Sequence, residues 1–113
     1  MDKFKVAFKG IYLAFKHPSV MIQGILAIIA LLFGIIFKFN INDMVIILLC
    51  IAMVIVSEIF NTAIEFLCNL YSLEYNEKIK TIKDISAGGV LVSALISLLI
   101  AILLFLKYFG GII

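Results

Sequence analysis

The chain has 113 residues, 65% of them hydrophobic, and carries nine lysines against seven acidic residues for a net charge of +2. Its mean hydropathy of +1.30 excludes a soluble domain, which at this size would expose far more apolar surface than water tolerates. The lysines form no patch suited to nucleic acid, and the two cysteines and single histidine show no metal-ligand spacing.

Residues 1–17 read as an amphipathic surface helix. Phe4, Phe8, Ile11, Tyr12 and Phe15 line one apolar stripe, with Lys5, Lys9 and Lys16 about a quarter turn away, facing lipid headgroups. Pro18 suits a break before the first span. The apolar run that follows is longer than a signal-peptide core and lacks a small-residue cleavage pattern, so it reads as a true span. Spans are expected over 19–38, 44–73 and 84–107, each long enough to cross a bilayer. The expected fold is an all-α integral membrane protein, one domain over 1–113, with three transmembrane helices and the surface helix. Lys38 to Asp43 forms a short polar turn in which Asn42 or Asp43 caps the second helix. Glu74 to Asp84 reads as a second, charged loop. Seven lysines lie before the first span or in this loop, and only Lys38 and Lys107 fall on the other side. That bias predicts a cytoplasmic N-terminus and an external C-terminus. Cys50 and Cys68 read as apolar fillers, some 27 Å apart on one helix and unable to pair.

The second span carries the chemistry. Glu58, Asn61 and Glu65 (i, i+3, i+7) fall on one helix face, and Asn69 extends the stripe. A carboxylate at the bilayer centre costs on the order of 3 kcal/mol even on lenient insertion scales, so two on one face imply a use. They stand about 11 Å apart by helical rise, too far to share a proton. Distinct roles fit: one a general base, the other a ligand of a hard cation such as Mg²⁺, with Asn61 holding the metal or a phosphate oxygen. Lys83 and Asp84, expected at the start of the third span, add a cation where phosphate charge develops. Gly88 and Gly89 permit close approach of a helix or ligand. These are the parts of phosphoryl transfer without a P-loop or a Gly-rich kinase loop. A proton or cation relay also employs membrane carboxylates, and buried hydrogen-bonded glue is the purely structural reading.

The stretch Glu58-Ile59-Phe60-Asn61-Thr62-Ala63-Ile64-Glu65 resembles the E-x-x-N-[ST]-A-I-E motif of the small prokaryotic lipid kinases, the diacylglycerol kinases and undecaprenol kinases. Lys83-Asp84 with Ser86-Ala87-Gly88-Gly89-Val90 resembles their second signature, and Glu74-Tyr75 and Ala7-Phe8-Lys9-Gly10 also match. The resemblance implies a homotrimer in the bacterial inner or plasma membrane, with composite sites near the cytoplasmic face. It implies ATP as donor, Mg²⁺ as cofactor, and a membrane lipid alcohol, undecaprenol or diacylglycerol, as acceptor. The roles it implies are Glu58 as base at the lipid hydroxyl, Asn61 in support, and Glu65 as metal ligand at the nucleotide phosphates. Lys83 and Asp84 would contact the nucleotide, Glu74 would lie near the adenosine, Asn69 on the ribose side, Lys9 at the phosphates and Ala87 beside the lipid. The chain departs from the family at the start of the first span. Pro18 stands where relatives carry a metal-binding glutamate, and a later acidic position aligns near Gly24. Water or a backbone oxygen completes the metal shell, or the protein is a catalytically impaired member with a binding or regulatory role.

Overall fold

Four helices and a terminal turn account for nearly all of residues 2–110, the part described by the computed structural model. Met1 and residues 111–113, assigned above to the single domain, lie outside the described residues. Asp2 caps α1 (Lys3–Phe15) by accepting the Phe4 N–H at 2.9 Å. The helix buries none of its residues, and its last aromatic, Phe15, fills the space over Gly24, where a Cβ would stand 2.7 Å from the ring. The chain then turns within two residues. Pro18 is the first residue of α2 (Pro18–Ile36) rather than an outlying breaker, because proline's fixed φ and missing N–H are harmless in the first helical turn.

α2 ends in a Schellman arrangement. The Phe39 N–H donates to the Gly34 carbonyl at 2.9 Å and the Lys38 N–H to that of Ile35 at 3.2 Å. Lys38 itself takes φ +56°, a left-handed conformation that costs a non-glycine residue about 1–2 kcal/mol. α3 (Ile41–Tyr71) starts earlier than the expected span. Its cap is Asn40, not Asn42 or Asp43: the Asn40 Oδ1 accepts the Asp43 N–H at 2.9 Å.

The charged segment after α3 is the main correction. Only residues 72–76 connect the helices, and α4 (Glu77–Phe105) begins seven residues before Asp84. Asn76 accepts the N–H groups of Lys78 and Ile79 at 2.9 and 3.2 Å, and Lys80 pairs with Asp84 at 2.6 Å one turn on. Polarity marks the end of an apolar span, but it does not end a helix that is capped and paired. Lys83 and Asp84 therefore stand well inside α4, not at its N-terminus. A π-helical turn, Leu106–Gly110, closes the described chain.

α2, α3 and α4 are each long and apolar enough to cross a membrane. α2 and α4 both pack on α3, which is the spine. At the end where α2 meets α3, a buried Asp43 carboxylate takes a hydrogen bond from Lys107 Nζ at 2.8 Å and from the Tyr108 hydroxyl at 2.6 Å. The same hydroxyl accepts the Asn40 N–H at 2.9 Å, and the Tyr108 ring stacks on Phe39 with centroids 3.9 Å apart. Lys107, read in the sequence only as a topology signal, is thus the partner of Asp43.

Removing the partner of a buried charge leaves that charge stranded. Lys107→Met should therefore lower the thermal midpoint in detergent more than Asp43→Asn, because Lys107 reaches water and Asp43 does not. The double variant Asp43→Asn/Lys107→Met should recover part of the Lys107→Met loss; strictly additive losses would show that the ion pair contributes no coupling.

Candidate active site

The polar stripe of α3 is formed as its spacing requires. Glu58, Asn61 and Thr62 are buried, while Glu65 and Asn69 on the following turns are exposed. Thr62 Oγ1 donates to the Glu58 carbonyl at 2.9 Å. That bond satisfies the hydroxyl and leaves the Glu58 carboxylate free: no hydrogen bond or ion pair reaches it among the described residues. Asn61 Nδ2 donates to Glu65 Oε1 at 3.2 Å. Its amide oxygen is buried and has no donor, so one acceptor points into the site without a protein partner. A buried carbonyl left this way costs about 1–3 kcal/mol until something donates to it or coordinates it.

α4 supplies the opposite wall. Lys83 Nζ donates to Asn69 Oδ1 at 2.6 Å, which brings together two residues singled out separately in the sequence. Near Glu58, the Ser57 and Ser93 hydroxyls lie 2.9 Å apart across the α3–α4 contact, each also within reach of a carbonyl of its own helix, Val54 or Val90; with one proton apiece, one hydroxyl donates across while the other donates to its own helix. Sequence reasoning did not single out Ser93. The available signal was a pair of small polar residues, Ser93 and Ser97, in an apolar run, of the kind that joins helices at membrane depth.

Other predicted residues stand apart from this cluster. Asp84 is engaged by Lys80 and exposed. Glu74 lies in the 72–76 connection, where its N–H donates to Ser72 Oγ at 3.1 Å. Lys9 is exposed on α1 and makes no hydrogen bond or ion pair among the described residues. Ala87 is exposed on α4. His17 precedes α2 and packs edge-on against Phe66, centroids 5.0 Å apart, which seats the α2 N-terminus beside the Glu65 turn.

The family of prokaryotic diacylglycerol kinases matches residues 5–105. That span includes all four helices apart from two residues of α1. The chain belongs to the prokaryotic diacylglycerol kinase family. This is a family of lipid kinases, and membership joins the membrane-length helices and the polar stripe into one assignment. A comparison with curated proteins found no match.

The stripe can be tested for its fit to a metal. Among the described residues no three His, Cys, Asp or Glu side chains converge, so they form no all-protein cage. What it does offer is oxygen: the exposed Glu65 carboxylate and the unpartnered Asn61 amide oxygen. Mg²⁺ is commonly held by one or two carboxylates, with waters and substrate phosphates completing the shell. The donor set fits such an ion. Pro18, at the start of α2, has no side-chain oxygen to add.

The Ser57–Ser93 bridge gives a direct check on the α3–α4 contact beside Glu58. Ser57→Ala and Ser93→Ala, combined in a double-mutant cycle of unfolding in detergent, should couple by about 0.6 kcal/mol, the average found for interhelical hydrogen bonds in membranes. A coupling of zero would mean that each hydroxyl is satisfied by its own helix alone.

Proposed function

We propose that this protein transfers the γ-phosphoryl group of ATP to the hydroxyl of a membrane lipid at the cytoplasmic face of a bacterial membrane. The observation that carries the reading is the order of groups along α3, within a chain of a lipid kinase family. A buried, unpaired carboxylate at Glu58 is followed by the free Asn61 oxygen and then by the exposed Glu65.

In this reading Glu58, as carboxylate, accepts the proton of the lipid hydroxyl while that oxygen bonds to the γ-phosphorus. The bond from phosphorus to the bridging oxygen breaks, and ADP leaves. Asn61 braces Glu65 through its amide N–H and holds its oxygen toward the reacting groups. Glu65 would hold Mg²⁺, which when bound neutralises charge on the nucleotide phosphates. Lys83, oriented by Asn69, lies on the same end of the molecule and stabilises phosphate charge. Asp84 and Glu74 are proposed at the nucleotide's outer edge, Lys9 at its phosphates, and Ala87 beside the lipid. Undecaprenol and diacylglycerol are the candidate acceptors. The lysine distribution supports a cytoplasmic N-terminus and an external C-terminus, with α1 lying in the interface on its aromatic face. Because Glu65 and Lys83 face outward from a single protomer, the site is proposed to be completed by a second copy within a homotrimer.

Pro18 favours a second reading, that of an impaired member whose metal is under-coordinated. Pro18→Glu discriminates the two. A sharp gain in lipid phosphorylation would identify a missing ligand, and an unchanged rate would remove that explanation.

Radiolabelled phosphate transfer from Mg·ATP to undecaprenol and to diacylglycerol, by purified protein in lipid micelles, tests the activity. Glu58→Gln should lower kcat by about 10²–10⁴, the usual contribution of a general base, and Glu65→Gln should abolish turnover. Lys83→Met should chiefly raise KM for ATP. A folded wild-type protein that phosphorylates neither lipid would overturn the proposal.

A further inference from the structure

Four side chains near the start of α4 form two pairs. Lys83 Nζ donates to Asn69 Oδ1 across the α3–α4 contact at 2.6 Å. Lys80 Nζ donates to Asp84 Oδ2 along α4, also at 2.6 Å. The two ties differ in what they do to charge. Asn69 is neutral, so it orients its lysine and leaves the positive charge in place. Asp84 is an anion, and Lys80 cancels it. One uncompensated cation remains, and it is Lys83, the lysine directed at α3.

Without Lys80 that balance is lost. At about 100° per residue, Lys80 lies between Lys83 and Asp84 on one face of α4, some 60° from the first and 40° from the second. Neighbouring residues of a helix do not face each other, so Asp84 is badly placed to bind Lys83 itself. It would stand beside the lysine as a free anion. The Lys80–Asp84 side chains are 59% and 63% exposed, and an exposed pair contributes little to folding. Its effect falls instead on charged groups that approach this surface. Phosphates drawn to Lys83 come within a screening length, about 8–10 Å, of the Asp84 carboxylate.

We propose that Lys80 is a positioning residue of the nucleotide site and acts through Asp84. By neutralising that carboxylate it keeps the field at Lys83 positive for the phosphates of a nucleoside triphosphate. The inference rests on the kinase reading for the nucleotide, while binding tests it without turnover. Lys78 has no such part. It lies about 160° round α4 from Lys80 and makes no ion pair among the described residues.

The experiment measures binding of the fluorescent nucleotide mant-ATP, with Mg²⁺, to purified protein in lipid micelles, beside the kinetics of phosphate transfer. Lys80→Met should weaken mant-ATP binding and raise KM for ATP about two- to fivefold, the range of exposed charge pairs, with kcat retained. Lys80→Arg should bind as wild type does. The loss in Lys80→Met should shrink as salt rises from about 0.01 to 1 M. Lys78→Met should leave binding unchanged, and in an Asp84→Asn background Lys80→Met should cost nothing further. Equal losses with and without Asp84, or the same loss in Lys78→Met, would overturn the inference, because Lys80 would then act as surface charge alone. Binding that Lys80→Met leaves unchanged, in a protein that phosphorylates a lipid, would also overturn it and leave the kinase standing. Lys80-dependent binding by a protein that phosphorylates no lipid would sink the kinase reading and keep the nucleotide site. A folded wild-type protein that binds no mant-ATP would overturn both.

Discussion

α3 runs 31 residues without a break, about 46 Å by rise, across a hydrocarbon layer about 30 Å thick. The rest of the structure depends on that excess. A helix longer than the layer must carry part of itself into the interface, and each residue is then assigned a depth by its place in the chain. Counted from Asn40, twenty or so residues suffice to cross the hydrocarbon. Glu58 is near the end of that count, and Glu65 and Asn69 lie beyond it. Glu58 thus falls within the length of α3 that a bilayer requires, buried, and Glu65 falls beyond it, exposed. One helix holds both without a loop between them, which keeps their separation rigid.

Such a spine works only if α4 is held in register beside it. Three polar contacts do this at three depths. Lys83 reaches Asn69 at one end, Ser57 meets Ser93 within the span, and Asp43 meets Lys107 and Tyr108 at the other end. Moving from the second contact to the third takes fourteen residues on each helix, so the two helices run side by side without slipping. Apolar packing is non-directional and would tolerate a shift by a turn. In hydrocarbon an unmatched carboxylate or hydroxyl would not. The polar ties therefore choose among packings that apolar contacts alone leave nearly equal.

Much of this was legible in the sequence because charge is so scarce in it. Two glutamates and an asparagine at helical spacing stand out from an uncharged background, and the three spans follow from their length. The helix limits were harder to read. Between Glu74 and Asp84 the chain is polar, and polarity was read as a loop, yet Asn76 caps there and α4 rises through Lys78 and Lys80 before reaching apolar residues. Long-range pairs were hidden for a different reason. Nothing local to Asp43 announces Lys107, 64 residues away, because that contact exists only once the register is set. The site residues divide in the same way. Glu58, Asn61, Glu65 and Asn69 share one helix and were placed by periodicity, and Lys83 joins them through Asn69. The places of Lys9, Glu74 and Asp84 around a nucleotide were taken from the family resemblance alone, and the structure does not bring these residues to the α3 stripe.

α1 has a mechanical property that its sequence alone does not convey. It is a rod of thirteen residues, about 20 Å long, joined to α2 through Lys16 and His17 and seated by Phe15 in the notch over Gly24. The seat is beside the joint, and no residue of the rod is buried. It is a lever gripped at the fulcrum. A turn of about 10° at Lys16–His17 carries Asp2 through roughly 3–4 Å while scarcely disturbing Phe15. Phe4 lies toward the free end of that rod, and His17 at the joint meets the Phe66 ring, one residue from Glu65.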